Sequence, residues 1–188
     1  MKTNNQELKR MVAIAMLSAI AYLLMFVSFP ILPYVPFLKL DFADVPILLG
    51  LLLLGPVGAV EITLLKLFLY WMTMGFSVIE LVGLMGSLVA SLLLIVSFTL
   101  LKSWLLAGKQ KTVAAIAISA VVLALGMGLL NYFILMPVYL HVAGFQLSIS
   151  LPKLILIGVI PFNLIKGALD GTLLVLIYGR LRHWIAHR

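Results

Sequence analysis

From Val78 to Leu101 the chain carries a single charged residue, Glu80. A stretch of that length and polarity is what a helix needs to cross a bilayer, about 20 mostly apolar residues. The pattern recurs along the sequence. Residues 11–29, 44–54, 57–73, 78–101, 112–140 and 153–179 are apolar segments, and Gly55-Pro56 divides the second from the third. Hydrophobic residues make up 64% of the chain and charged ones 10%, against roughly 45–50% and 25% in soluble domains. Too little polar surface remains to cover a globule in water. The sequence therefore predicts an all-α integral membrane protein, a six-helix bundle forming one domain over residues 1–188.

The run entered from Lys9-Arg10 continues without a polar break, so a cleaved signal peptide is not expected. An even number of spans puts both termini on one side, and the basic residues name it. Lys2, Lys9, Arg10, Lys102, Lys109, Lys111, Arg180, Arg182 and Arg188 fall on that side, nine in all; Lys39 and Lys153 fall on the other. The positive-inside rule then makes both termini cytoplasmic, in a multi-pass protein of the cytoplasmic membrane. The net charge of +7 expresses topology and attraction to anionic lipid. It does not imply nucleic acid, because no basic stripe alternates with exposed aromatics.

Charges within apolar spans are the most informative residues. Lys66, Lys166 and Asp170 lie deep, while Glu61 and Glu80 lie nearer helix ends. Each deep charge costs about 2.5–3.5 kcal/mol if it faces lipid, so these must face partners or a cavity. An internal ion pair such as Lys66–Asp170 or Lys166–Glu80 is one reading; a polar substrate site is the other. Counted from the outer helix ends, Asn131, Asn163 and Lys66 sit roughly 10–15 Å deep, with Lys166 a turn deeper. Asn163, Lys166 and Asp170 share one helical face. Pro161 removes an amide donor and frees the Ile157 carbonyl, a break tolerated beside a cavity. For Asn131 alone, an interhelical hydrogen bond explains its position equally well.

The outer loop between the first two helices is proline-rich, with Pro30, Pro33 and Pro36, and is aromatic where an outer loop should be polar. It can lie flat on the membrane or fold over the bundle as a lid. A lid would bury Tyr34, Phe37 and Phe42 and offer backbone groups from Leu38 to Asp41 to a ligand. Asp44, ahead of Val45-Pro46, reads as a helix N-cap with a structural role. Ala15 and Ala19, with Ser18 beside them, let another helix approach closely, inside or outside the bundle.

Several chemistries lack their residues. There is no phosphate-binding Gly-Lys loop and no His-Glu-x-x-His or Gly-x-Ser-x-Gly motif. Gly126 and Gly128 fit helix packing better than a nucleotide fingerprint. Cysteine is absent, and His183 with His187 lacks a third metal ligand. Neither an enzyme nor a metal site is expected. Active transport would need energy from another protein or from an ion gradient.

With these residues in place, the chain resembles the membrane-embedded substrate-binding (S) components of energy-coupling-factor (ECF) vitamin transporters. The resemblance spans essentially the whole chain. Ala15-Met-Leu-Ser-Ala19 is similar to the Ala-x-x-x-Ala motif by which such components dock on their coupling protein. The riboflavin-specific type is the nearest in pattern. The segments that carry this are Phe29-Pro30, the stretch from Lys39 to Pro46, Asn131-Tyr132 with Pro137, and Pro161 to Lys166 with Asp170-Gly171. The resemblance implies high-affinity capture of riboflavin from outside a bacterial cell, as transported ligand rather than cofactor. It also implies partnership with a transmembrane coupling protein and two cytoplasmic ATPase subunits. Lys39, Leu40, Asp41, Phe42, Asn131, Asn163, Lys166 and Asp170 would form the binding site, with Asp170 orienting Lys166. Ala15 and Ala19 would contact the partner. Another vitamin, such as biotin or thiamine, remains an alternative. So does an ion-coupled secondary transporter using Asp170, Glu61 and Lys66 as a relay.

Overall fold

The computed structural model describes residues 2–32, 35, 38–75, 77–105, 107–142, 144 and 149–186. Helix α1 covers Lys2–Phe26. A two-stranded ladder follows, β1 (Phe29–Pro30) against β2 (Lys39–Leu40), antiparallel with Phe29 opposite Leu40. Then come α2 (Asp44–Met74), α3 (Val78–Leu100), the single turn α4 (Lys102–Leu105) and α5 (Lys109–Leu130). Helix α5 continues through a π-helical turn, Asn131–Leu135, into α6 (Met136–Val142). A last continuous rod comprises α7 (Leu151–Leu154), a second π turn at Ile155–Val159 and α8 (Ile160–Ala186).

Among the described residues, five helices are long and apolar enough to cross a membrane: Asn5–Phe26, Asp44–Met74, Ile79–Leu100, Lys109–Val142 and Leu151–Leu181. The second of them is not straight. Gly55 leaves helical geometry at φ 82°, ψ 180°, a region essentially restricted to glycine, and Pro56 removes the next amide donor. The two limbs fold back on each other at this point. Asp44 and Lys66 would stand about 33 Å apart along a straight helix, yet their side chains approach to 3.8 Å. Gly50 likewise sits against the Ile62 side chain. The apolar segments expected at 44–54 and 57–73 are thus the two limbs of one bent element, and the glycine-proline pair sets the turn.

The packing is inverted relative to a soluble protein. Phe133 and Leu100 are 68% and 76% exposed, whereas Ser18, Thr63, Lys66, Ser91, Asn131, Asn163, Lys166 and Asp170 are buried. Such an arrangement suits hydrocarbon outside and polar contacts inside. Helix α1 packs on α2, α2 on α3, α3 on α5, and α5 on α8, which also meets α2. At the α5–α8 contact, Gly167 brings the backbones together: a Cβ there would lie 2.7 Å from Ala120 Cα. On α1, Ser18 Oγ donates to Ile14 O at 2.7 Å and to Ile62 O at 3.4 Å. Ala15 and Ala19 stay on the outward face of the same helix.

Each π turn ends just before a proline, Pro137 in the first and Pro161 in the second. A helical proline clashes with the carbonyl four residues back and gives it no proton. Widening the turn relieves both problems by shifting the bonding one residue on. Accordingly Met136 N–H donates to Asn131 O, and Ile160 N–H donates to Ile155 O. The break expected at Pro161 thus coincides with a π turn immediately before it.

Candidate functional site

The loop after α1 turns back onto the bundle. Val35 N–H donates to Leu32 O at 3.1 Å, and Leu38 N–H donates to Val35 O at 3.0 Å. Val35 is fully buried, packed with Met136, Leu154, Ile155 and Val159. Phe29 and Phe42 pack ring to ring at 6.4 Å. Tyr34 and Phe37, expected in the lid, lie outside the described residues, as do Pro33 and Pro36.

Beneath the loop is a cavity of about 600 Å³, within the usual range for small-molecule sites. Leu38, Lys39, Asp41 and Asp44 line its loop side. Helix α3 contributes one face, Ile79, Gly83, Gly86, Ser87 and Ala90. Four of those five are small, which opens the space. Met127, Asn131, Leu135, Met136 and Tyr139 line another wall, with Phe162, Asn163 and Lys166 on the third. The first π turn and the first turn of α8 thus present Asn131 and Asn163 to the same space.

Both amides are held by their own helices. Asn131 Nδ2 donates to Met127 O at 2.8 Å, and Asn163 Nδ2 donates to Val159 O at 2.8 Å. A carboxamide fixed by one N–H keeps its oxygen and second N–H for a ligand. This arrangement matches a flat molecule bearing an edge of alternating donors and acceptors. The bond expected for Asn131 runs within its own helix rather than between helices.

The buried charges form one network. Lys166 Nζ lies 2.9 Å from Asp44 Oδ2, 3.4 Å from Asp41 Oδ1 and 3.5 Å from Asp170 Oδ2. It also donates to Asp41 O at 3.3 Å. Lys66 Nζ lies 3.8 Å from Asp44 Oδ1 and donates to Ser87 Oγ at 3.3 Å and to Ser91 Oγ at 3.5 Å. Ser91 Oγ donates to Asp44 Oδ1 at 2.5 Å. The internal pairs are therefore Lys66–Asp44 and Lys166 with three aspartates, in place of the Lys66–Asp170 and Lys166–Glu80 pairings. Asp44 also departs from its expected capping role. Ala43 occupies the N-cap position, Asp41 Oδ1 accepts the Ala43 N–H at 2.9 Å, and the Asp44 side chain turns inward. Two ammonium groups inside the bundle draw it there more strongly than exposed amides can.

Of the residues singled out in the sequence, Lys39, Asp41, Asn131, Asn163 and Lys166 line the cavity. Leu40 is buried beside it, Phe42 packs on Phe29, and Asp170 lies behind Lys166 with no exposure. Lys66, placed at similar depth by counting, is 1% exposed and sits behind Asp44. Glu61 pairs with Arg10 at 2.7 Å on the outside of the bundle, so Asp170, Glu61 and Lys66 do not form one file. The small-residue face of α3 was missed; its signal was glycine, serine and alanine at helical spacing within a leucine-rich span. Among the described residues no cluster of metal-ligating side chains occurs. The His183 side chain and His187 lie outside those described.

Residues 9–178 match the family described as "ECF transporter, substrate-specific component". The "Riboflavin transporter RibU" of Staphylococcus aureus (strain TCH60) is 35% identical, over 98% of this chain and 96% of the relative. The "Riboflavin transporter FmnP" of Bacillus subtilis (strain 168) is 31% identical, over 95% of each. A solved structure described as the S component of a bacterial ECF transporter superposes with a TM-score of 0.76 at 32% identity. It covers 95% of this chain and 98% of its own.

Proposed function

The chain belongs to the substrate-specific components of ECF transporters, and from that membership we propose that it captures riboflavin outside a bacterial cell for uptake. It is a multi-pass membrane protein and a transporter component, not an enzyme. The observation that carries the substrate reading is the cavity. Apolar walls and small α3 residues suit a flat ring system. Asn131, Asn163 and Lys166 supply donors and acceptors for its polar edge. Lys39 and Asp41 contribute from the loop, Leu40 and Phe42 support that segment, and Asp170 orients Lys166 from behind.

The same reading treats residues 1–188 as one substrate-binding domain crossing the bilayer six times. Each limb of α2 counts as one pass, and both termini are cytoplasmic, as the basic residues require. A transmembrane coupling protein would dock on the outward Ala15–Ala19 face, and two cytoplasmic ATPase subunits would energise release inward.

The test is the visible absorption of detergent-purified protein, followed by titration of riboflavin fluorescence with biotin and thiamine as competitors. Stoichiometric quenching that survives excess biotin and thiamine supports the assignment. Unchanged fluorescence over a protein that still unfolds cooperatively overturns it, and displacement by either competitor reassigns the vitamin.

A further inference from the structure

Among the described residues, Asp44 is the one paired with both deep lysines. Its Oδ2 meets Lys166 at 2.9 Å, while its Oδ1 meets Ser91 at 2.5 Å and Lys66 at 3.8 Å. Lys166 lines the cavity; Lys66 does not. Asp44 and Ser87 line it as well, so Lys166 and Asp44 meet at the cavity wall, and Lys66 with Ser91 lies behind, joined to the wall through Asp44 and Ser87. Asp44 is also the first residue of α2, where free amides and the helix dipole favour a negative charge.

A lysine has four rotatable side-chain bonds, and an ammonium is a point charge without its own directionality. What aims Lys166 is its set of partners. Asp41 is half of that set but belongs to the loop, and Asp170 approaches from below at 3.5 Å without a hydrogen bond. The short, well-buried contact is with Asp44, which is 3% exposed.

We propose that Asp44 is a positioning residue that fixes Lys166 at the cavity wall, and that Lys66, which does not line the cavity, acts on the bound ligand chiefly through Asp44. The binding arm of the test rests on the riboflavin reading above; a second arm does not. Asp44→Asn leaves two buried ammoniums short of a counter-charge and can misfold. Asp44→Asn with Lys66→Met removes one charge of each sign and serves as its balanced companion.

In fluorescence titrations, Asp44→Asn and the double variant should each weaken riboflavin by about 10- to 100-fold, the range for losing a bond to a charged group. The double variant should be no weaker than Asp44→Asn, since residues acting in series do not add. Asp44→Glu should recover part of the loss. Without ligand, an amine-reactive reagent followed by mass spectrometry should modify Lys166 several-fold faster in the double variant than in the parent. Exposed Lys153 serves as the internal standard. Wild-type affinity in a folded double variant, or unchanged Lys166 labelling, overturns the proposal. If the parent itself fails to bind riboflavin, the substrate reading falls and the labelling alone decides the role of Asp44.

Discussion

Val35 rests directly on Gly158, so closely that a Cβ at position 158 would come within 2.8 Å of the valine Cγ1. This contact seats the loop after α1 on the π turn, and the same loop supplies Leu38, Lys39 and Asp41 to the cavity. Gly158→Ala should push the loop off its seat. Stopped-flow fluorescence should then show riboflavin leaving about tenfold faster, equivalent to roughly 1.4 kcal/mol, while the overall fold persists. Pairing it with Val35→Ala removes the clashing methyls and should slow release again. Equal release rates in parent and Gly158→Ala would show that the contact does not control the loop.

On the riboflavin reading proposed above, Asn131 and Asn163 would supply the polar recognition. Asn131→Ala and Asn163→Ala should each weaken riboflavin by about 1–3 kcal/mol, the usual effect of leaving a buried polar group unmatched. Their own anchoring bonds run to Met127 O and Val159 O, so each change leaves those carbonyls within an intact helix. Thermal unfolding temperatures should shift little. Full affinity in both variants would place the ring elsewhere.

Gly55 makes the fold-back of α2 possible. Its φ of 82° with ψ of 180° suits glycine alone, so Gly55→Ala should cost about 1–3 kcal/mol of stability. No atom lies within 4 Å of the added methyl, which leaves backbone strain as the cause. A melting temperature equal to the parent's would mean that the turn tolerates a side chain.

Much of this was legible from local pattern. Hydropathy located the apolar segments, and Gly55-Pro56 marked the turn in α2 because its cause lies within two residues. Counting along helices put Asn131 and Asn163 at one depth, and the i, i+4 spacing joined Lys166 to Asp170. The partners of Lys66 and the role of Asp44 were not legible. They depend on which faces of α2, α3 and α8 meet, and a charge before Val45-Pro46 is equally consistent with a cap. The π turns also escaped, since a proline announces a break but not how the preceding turn absorbs it. The pairing of Phe29–Pro30 with Lys39–Leu40 is too short to leave a periodic signal.

Topology can be settled separately, because the chain has no cysteine. Single cysteines at Lys2, Ser77, Lys109 and Arg188 can be probed in whole cells with an impermeant maleimide. Ser77→Cys should label from outside, and the other three only after permeabilisation. Labels at Lys2→Cys and Arg188→Cys from opposite sides would rule out six passes.

The most direct measurement is an experimental structure of the protein with riboflavin bound. The flavin ring should lie between the Leu38–Asp41 segment and the small-residue face of α3, its polar edge within hydrogen-bonding distance of Asn131 and Asn163. Riboflavin found outside this cavity, or bound with its hydroxylated tail against both asparagines, would contradict the account.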